Sequence, residues 1–187
     1  KRQPETGAEY KIRFMLRKNV CEIMLDTTGD GLHKRGYRRN SMEAPIRETL
    51  AATIADLGRV RRDSLVEDPF CGSGTLLIEA AQKAMNIAPG LKRRFAAERY
   101  SFVPAAIWAE QRQKALADSK LDVGFEAFGY DIDPAAVALA NANAKLAGVE
   151  KRCHFEVADV ADFAARSEAI VLTNLSLIHI SEPTRPL

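Results

Sequence analysis

The 187-residue sequence has few cysteines, no long apolar run and almost no net charge. Its three cysteines, Cys21, Cys71 and Cys153, form no Cys-x-x-Cys pair and have no histidine at metal-ligand spacing. This pattern indicates neither a disulfide framework nor a zinc site, and it predicts free thiols. No apolar stretch reaches membrane-spanning length, and the first ten residues contain no signal-peptide core. The sequence therefore predicts a globular domain with neither a membrane nor a metal partner.

The net charge of +2 says little about partners, but the basic residues are clustered. Residues 33–39, HKRGYRR, contain four cations and no acid: Lys34, Arg35, Arg38 and Arg39. A run of this kind is either a solvated surface or a contact for a phosphate backbone. Both interpretations carry similar weight on the run alone, and we predict that these four residues contact RNA or face the ligand cleft rather than solvent.

The N-terminal part of the chain predicts a hairpin followed by a helix. The segments EYKIRFMLR and VCEIMLD alternate in part and flank Lys18-Asn19, which indicates two strands joined by a short turn. Residues 44–58, APIRETLAATIADLG, place Ile46, Leu50, Ile54 and Leu57 on one helical face.

From residue 64 onward the predicted order is strand, helix, basic insert over residues 88–124, strand, helix, strand and strand. Strands alternating with helices indicate an α/β fold with a parallel sheet and crossover helices. Ligands of such sheets bind at the carboxyl ends of the strands. Four polar residues fall at those ends: Asp68, Asp131, Asp159 and Asn174.

The loop after the first of these strands, in DPFCGSGTLLIEAA (68–81), predicts a ligand contact. Gly72 and Gly74 would let backbone N–H groups approach a ligand closely, although a tight turn alone would also explain them. No Gly-Lys-Ser/Thr follows, and Leu77 stands where a dinucleotide fingerprint has its third glycine. Asp68 would repel a pyrophosphate and would favour a ligand that carries a cation. S-adenosylmethionine, with an ammonium, a sulfonium and no phosphate, meets this requirement.

The segment GYDIDP (129–134) predicts the rest of the same site. Asp131 would accept hydrogen bonds from ribose hydroxyls, and Ile132 would cover one face of the adenine. Asp133 before Pro134 has the pattern of a helix N-cap and is expected to be structural. Asp159 would accept from the adenine amino group, and a role as a turn cap fits it nearly as well.

Four of these segments, DPFCGSGTLLIEAA, GYDIDP, VADVADF and VLTN, resemble motifs I to IV of class I S-adenosylmethionine-dependent methyltransferases. DTTGDGLHKRGYR with APIRETLAA, and the insert after residue 86, resemble THUMP-associated enzymes that methylate guanine N2 of large-subunit ribosomal RNA. The resemblance covers roughly residues 10–174. It implies a Rossmann-like methyltransferase sheet, a cytoplasmic enzyme, ribosomal RNA as partner, S-adenosylmethionine as cofactor and no metal.

The resemblance also assigns roles to individual residues. It places Asp68, Cys71, Gly72 and Gly74 in the cofactor loop, Asp131 at the ribose and Asp159 near the adenine. Asn174 matches the first residue of the catalytic Asn-Pro-Pro-Tyr motif, but Leu175, Ser176 and Leu177 follow it here. We therefore expect the chain as written to be catalytically incomplete.

The resemblance further divides the chain. Residues 1–30 would be a hairpin and linker from an upstream RNA-binding domain, and residues 31–174 the methyltransferase domain. Residues 175–187 are unlike the family and are expected to be non-native. Two alternatives remain: a basic RNA-binding module without catalysis, and a nicotinamide-dependent oxidoreductase, which Asp68 and the missing third glycine disfavour.

Overall fold

The computed structural model describes residues 8–38 and 46–175. Within these ranges the chain forms an antiparallel hairpin and a four-stranded parallel sheet with four α-helices. The predicted α/β class and the predicted order of elements are confirmed.

The hairpin consists of β1 (Ile12–Arg17) and β2 (Val20–Leu25). Lys18 and Asn19 have φ angles of 50° and 61°, and positive φ at both central residues is the conformation that matches the twist of two antiparallel strands. The predicted turn is therefore confirmed. Cys21 lies exposed on this hairpin, whereas Cys71 and Cys153 are buried.

The parallel sheet contains β3 (Leu65–Asp68), β4 (Glu126–Asp131), β5 (Cys153–Val157) and β6 (Ile170–Val171). The strand order is β5-β4-β3-β6. The chain moves outward from β3 to β5 and then returns to the other side of β3. A crevice opens where the direction of winding changes, so β3 and β6 flank the expected ligand position.

The helices are α1 (Glu48–Leu57), α2 (Thr75–Ala84), α3 (Ala105–Ala117) and α4 (Pro134–Ala147). Helix α2 follows β3 directly and is buried along nearly its whole length against the sheet, α1 and α4. Leu77, Ile78, Phe125 and Phe155 belong to the core around it. Burying a side chain of this size contributes about 1.5–3 kcal/mol, so this core fixes the position of the α2 N-terminus.

The predicted apolar face of α1 is wrong in part. Leu50 and Leu57 are 52% and 78% exposed, and the residues that α1 buries are Glu48, Ala51 and Ala55. Alanine side chains let α1 approach the alanine-rich α2 closely, which the larger leucines would prevent. Ile46 and Ile54 do pack against the core, so helical periodicity identified the packing face of α1 only in part.

Candidate functional site at the carboxyl ends of the strands

The loop between β3 and α2 is fastened to the end of β4. The Cys71 N–H donates to the Tyr130 carbonyl over 2.8 Å, and the Gly72 N–H donates to Asp131 Oδ2 over 2.9 Å. The structure therefore brings the Asp68–Gly74 loop and Asp131 together, although they lie 57 or more positions apart in the sequence. This proximity is what a shared ligand site requires.

The two loop glycines have different surroundings. Both have positive φ angles, 52° at Gly72 and 76° at Gly74, and residues other than glycine rarely adopt this backbone conformation. A Cβ on Gly72 would have no atom within 4 Å, so this backbone borders open space. A Cβ on Gly74 would lie 2.8 Å from Cζ of Phe155 and 3.0 Å from Cβ of Ala140. Gly72 leaves room for a ligand, whereas Gly74 allows α2 to pack.

A buried amide holds the loop from behind. Asn143 of α4 is 1% exposed, and its Nδ2 donates to the Ser73 carbonyl over 3.0 Å. No sequence motif singles out Asn143. A signal was present, because Asn143 shares the buried face of α4 with Val137, Ala140 and Ala147, where an amide needs a partner.

Asp68 is a buried carboxylate in the crevice. It is 2% exposed, and its Oδ1 accepts from the Phe70 N–H over 3.0 Å. Burial, together with the nearby charge of Asp131, raises the pKa of Asp68 to about 6, against the opposing hydrogen bonds from Phe70 and the Thr173 hydroxyl.

Cys71 does not act as a nucleophile in this arrangement. Burial raises the pKa of its thiol, and the charges of Asp68 and Asp131 raise it further. The thiol therefore stays neutral at physiological pH, and thiolate chemistry has no basis here.

Asp133 has the capping role that the sequence predicts, and Asp131 fastens the glycine loop to the end of β4. Asp131 is half-buried, and its Oδ1 accepts from the Asp133 N–H over 3.0 Å while its Oδ2 holds Gly72. Each carboxylate oxygen can accept a second bond, so Asp131 can also bind a hydroxyl. Asp133 caps α4 by accepting from the Ala135 N–H over 2.8 Å. Ile132 between them is 70% exposed at the crevice edge, where an aromatic ring can cover it.

Asp159 and Asn174 lie near the ends of β5 and β6. Asp159 caps a short 3-10 helix (Val160–Asp162) by accepting from the Ala161 N–H over 2.9 Å. This is the alternative structural role considered for Asp159, and it leaves acceptor capacity on an exposed carboxylate. Asn174 is exposed, three residues beyond the end of β6.

Two of the four cations that we predict to contact RNA form ion pairs within the protein. The side chains of Arg35 and Arg38 are 11% and 12% exposed, and they pair with Glu79 over 3.4 Å and with Glu48 over 3.7 Å. Both carboxylates are buried, so removing either arginine would leave a buried charge without its partner. Lys34 is exposed and remains available to a ligand, and Arg39 lies outside the described residues.

A cavity of about 700 Å³ lies at the opposite end of the sheet, between the segments that precede β3 and β4. None of the strand-end acids lines this cavity, so it is separate from the candidate ligand site. Among residues 8–38 and 46–175, no cluster of side chains could hold a metal ion, and no helix is long and apolar enough to cross a bilayer.

A parallel sheet whose winding direction changes at β3, a glycine loop with a buried acid and a second acid at the end of β4 together are the arrangement of a class I methyltransferase fold. Residues 35–176 match the model of the family UPF0020, described as RMKL-like, methyltransferase domain. The chain belongs to this family.

Relatives and solved structures agree with this assignment. The chain is 42% identical over 164 residues to Bacillus subtilis YpsC, whose name places it among RNA methyltransferases, covering 88% of this chain and 43% of YpsC. It is 42% identical over 173 residues to the Shewanella baltica ribosomal RNA large subunit methyltransferase K/L, covering 89% and 24% of the two chains.

The structure of SMU.472 complexed with S-adenosylhomocysteine (SAH) has a TM-score of 0.83 and 38% identity, covering 92% of this chain and 45% of that one. A predicted N6-adenine-specific DNA methylase from Listeria monocytogenes has a TM-score of 0.83 and 39% identity, covering 90% and 44%. The chain spans less than half the length of each of these proteins.

Proposed function

We propose that residues 31–174 form the cofactor-binding part of an enzyme that transfers a methyl group from S-adenosylmethionine to guanine N2 of large-subunit ribosomal RNA. The observation that supports S-adenosylmethionine as the cofactor is the buried Asp68 carboxylate beside the open backbone of Gly72. A phosphate ligand would be repelled there, whereas an ammonium would be attracted. The relatives named as ribosomal RNA large subunit methyltransferases support ribosomal RNA as the substrate.

In this proposal the cofactor would lie along the crevice, with each of its parts at a different strand end. Its amino-acid end would lie at Asp68 and over Gly72, where the backbone is open. Asp131, at the end of the adjacent strand β4, would bind the ribose hydroxyls. Ile132 and Asp159 would meet the face and the amino group of the adenine. Asn174, three residues beyond the end of β6, would then be left to meet the target base.

Methyl transfer needs little chemistry from the protein beyond positioning. The guanine nitrogen forms a bond to the methyl carbon, the carbon–sulfur bond breaks toward sulfur, and the nitrogen loses a proton to solvent. The Asn174 amide oxygen would accept a hydrogen bond from the amine, which orients the nitrogen lone pair toward the methyl group. The base must leave its stack to reach the crevice.

Cofactor choice tests the proposal against the oxidoreductase alternative. We expect SAH to bind measurably and NADH not to bind in isothermal titration calorimetry. Asp131→Ala should weaken SAH binding by roughly 1.5–3 kcal/mol, because a charged acceptor for the ribose is lost. Asp133→Ala is the matched control, since it removes a helix cap and leaves the ribose acceptor in place. Tighter binding of NADH than of SAH would reject the methyltransferase function.

The pKa of Asp68 predicts how SAH affinity depends on pH. An ammonium favours the ionised carboxyl, and a pKa of about 6 leaves Asp68 largely protonated at pH 5 and largely ionised at pH 7. SAH affinity should therefore rise by up to about tenfold from pH 5 to pH 7 and then level off. Asp68→Asn should flatten this profile, and Asp133→Asn should not. A flat profile in the unmodified protein would mean that Asp68 does not face the ammonium.

A further inference from the structure

A basic cavity of about 550 Å³ lies outside the cofactor crevice, between the 30–38 loop and residues 93–94 of the insert. Nine residues line it, and five are Lys or Arg while two are acids: Asp30, His33, Lys34, Arg35, Gly36, Arg38, Glu48, Arg93 and Arg94. Its charge composition favours an anionic ligand.

Arg93 supplies a buried charge behind this cavity. It is 7% exposed, and its guanidinium donates to four backbone carbonyls of the loop that faces it: Thr28, Asp30, Gly31 and Lys34, at 2.6–3.3 Å. All four partners are neutral. Its Nε–H has no acceptor among the residues that the structure describes. The guanidinium also lies over the Phe95 ring, 4.9 Å from its centroid, but Arg93 has no carboxylate partner among the residues that the structure describes. Its positive charge is therefore not neutralised by an acid next to the cavity.

The other cations of the cavity divide into two groups. Arg35 and Arg38 are paired with the buried carboxylates described above, and Lys34 forms an exposed pair with Asp30 over 3.3 Å. Arg94 is exposed and forms no ion pair within residues 8–38 and 46–175. Arg93 and Arg94 therefore give the cavity an excess of positive charge. Lys34 and Arg94 are the exposed cations, and they lie at its rim.

A second arginine holds the wall of the cavity in place. Arg112 of α3 donates to the carbonyls of Gly90, Leu91 and Arg93 at 2.8–3.3 Å, and it also pairs with Glu98 over 2.6 Å. The segment that carries Arg93 and Arg94 is therefore fixed before any ligand arrives. A fixed wall lowers the entropic cost of binding.

The cavity is connected to the cofactor loop through Arg38. One Arg38 nitrogen hydrogen-bonds the Thr75 hydroxyl in the first turn of α2, and that hydroxyl lies 3.1 Å from the hydroxyl of Ser73. An anion in the cavity is consequently held close to the loop that receives the methyl donor.

We propose that this cavity binds a phosphodiester group of the substrate RNA, with Lys34 and Arg94 as the contacting side chains. The proposal rests on the proposed function, because it assumes that RNA is the substrate. The cofactor carboxylate is the competing anion. RNA is favoured because the available cations lie at an exposed rim, which a polymer backbone can follow. Phosphate contacts release counterions, so each one adds to the salt dependence of binding.

The test is RNA binding by the double variant Lys34→Ala/Arg94→Ala, measured by fluorescence anisotropy over a series of salt concentrations. The probe is an unmodified hairpin fragment of large-subunit ribosomal RNA. We expect weaker binding and a log–log salt slope that is smaller by about two units, one for each lost contact. Arg61→Ala/Arg62→Ala is the matched control, because it removes two exposed arginines at the opposite end of the sheet. The salt slope of the control should stay close to that of the unmodified protein, because the loss of two distant positive charges changes the overall attraction to RNA only slightly.

Calorimetry with SAH on the same variants separates the possible outcomes. Unchanged SAH affinity with a reduced RNA slope in the cavity variant alone supports the proposal. A loss of SAH affinity with an unchanged RNA slope would assign the cavity to the cofactor carboxylate and overturn it. Equal slopes for the cavity variant and the control, or no RNA binding by the unmodified protein, would also overturn it. Failure of the unmodified protein to bind SAH would instead count against the proposed function.

Discussion

Gly74→Ala is expected to destabilise the protein by about 2–5 kcal/mol. A left-handed backbone costs a residue with a Cβ about 1–2 kcal/mol, and overpacking a core typically adds 1–3 kcal/mol. Both costs apply here, because Gly74 has a φ of 76° and its new Cβ would lie 2.8 Å from the Phe155 ring. Urea unfolding monitored by circular dichroism measures the change.

Gly72→Ala is the matched variant at the same loop. Its φ of 52° carries the conformational cost of about 1–2 kcal/mol, but no atom lies within 4 Å of the added Cβ. The loss of stability should therefore be smaller, while SAH binding should fall sharply, because the methyl group enters the space that we assign to the cofactor. Equal destabilisation by the two substitutions, or unchanged SAH affinity in Gly72→Ala, would contradict this division between packing and ligand access.

The strand-end acids could be predicted because their positions depend on local patterns. Asp68 and Asp131 each end an apolar segment and precede a helix, and in a parallel sheet adjacent strand ends converge. The cap at Asp133 was predictable for the same reason, since Asp-Pro before an alanine-rich helix fixes its local geometry. No long-range information was needed for these residues.

The role of the basic run could not be predicted in the same way. Arg35 and Arg38 look like a surface cluster in sequence, but their carboxylate partners Glu79 and Glu48 lie on α2 and α1. Only the packed structure shows that those carboxylates are buried beside the loop. Arg93 could not be recognised from the sequence either, because its partners are backbone carbonyls, which the sequence of side chains does not reveal.

The length of β6 also differs from the prediction. The segment 169–174 predicts a strand, but only Ile170 and Val171 pair with β3.

The chain as written is expected to transfer no methyl group to RNA, even where it binds SAH. Transfer requires the amine within about 3–3.5 Å of the methyl carbon and in line with the carbon–sulfur bond. In the family motif, two prolines and an aromatic ring follow the asparagine and hold the extruded base, whereas Leu175, Ser176 and Leu177 follow Asn174 here. A leucine or serine side chain offers no ring on which the base can stack.

The measurement is incubation with radiolabelled S-adenosylmethionine and undermodified ribosomal RNA, followed by chromatography of the nucleosides. The Shewanella baltica relative serves as the positive control on the same RNA, and SAH binding by calorimetry shows that the tested chain has a formed cofactor site. We expect label only with the relative. Label transfer by this chain above the no-enzyme background would mean that the catalytic motif does not begin at Asn174. If that product were N6-methyladenosine, guanine N2 would be the wrong target atom as well, because the same amide would then be orienting an adenine amine.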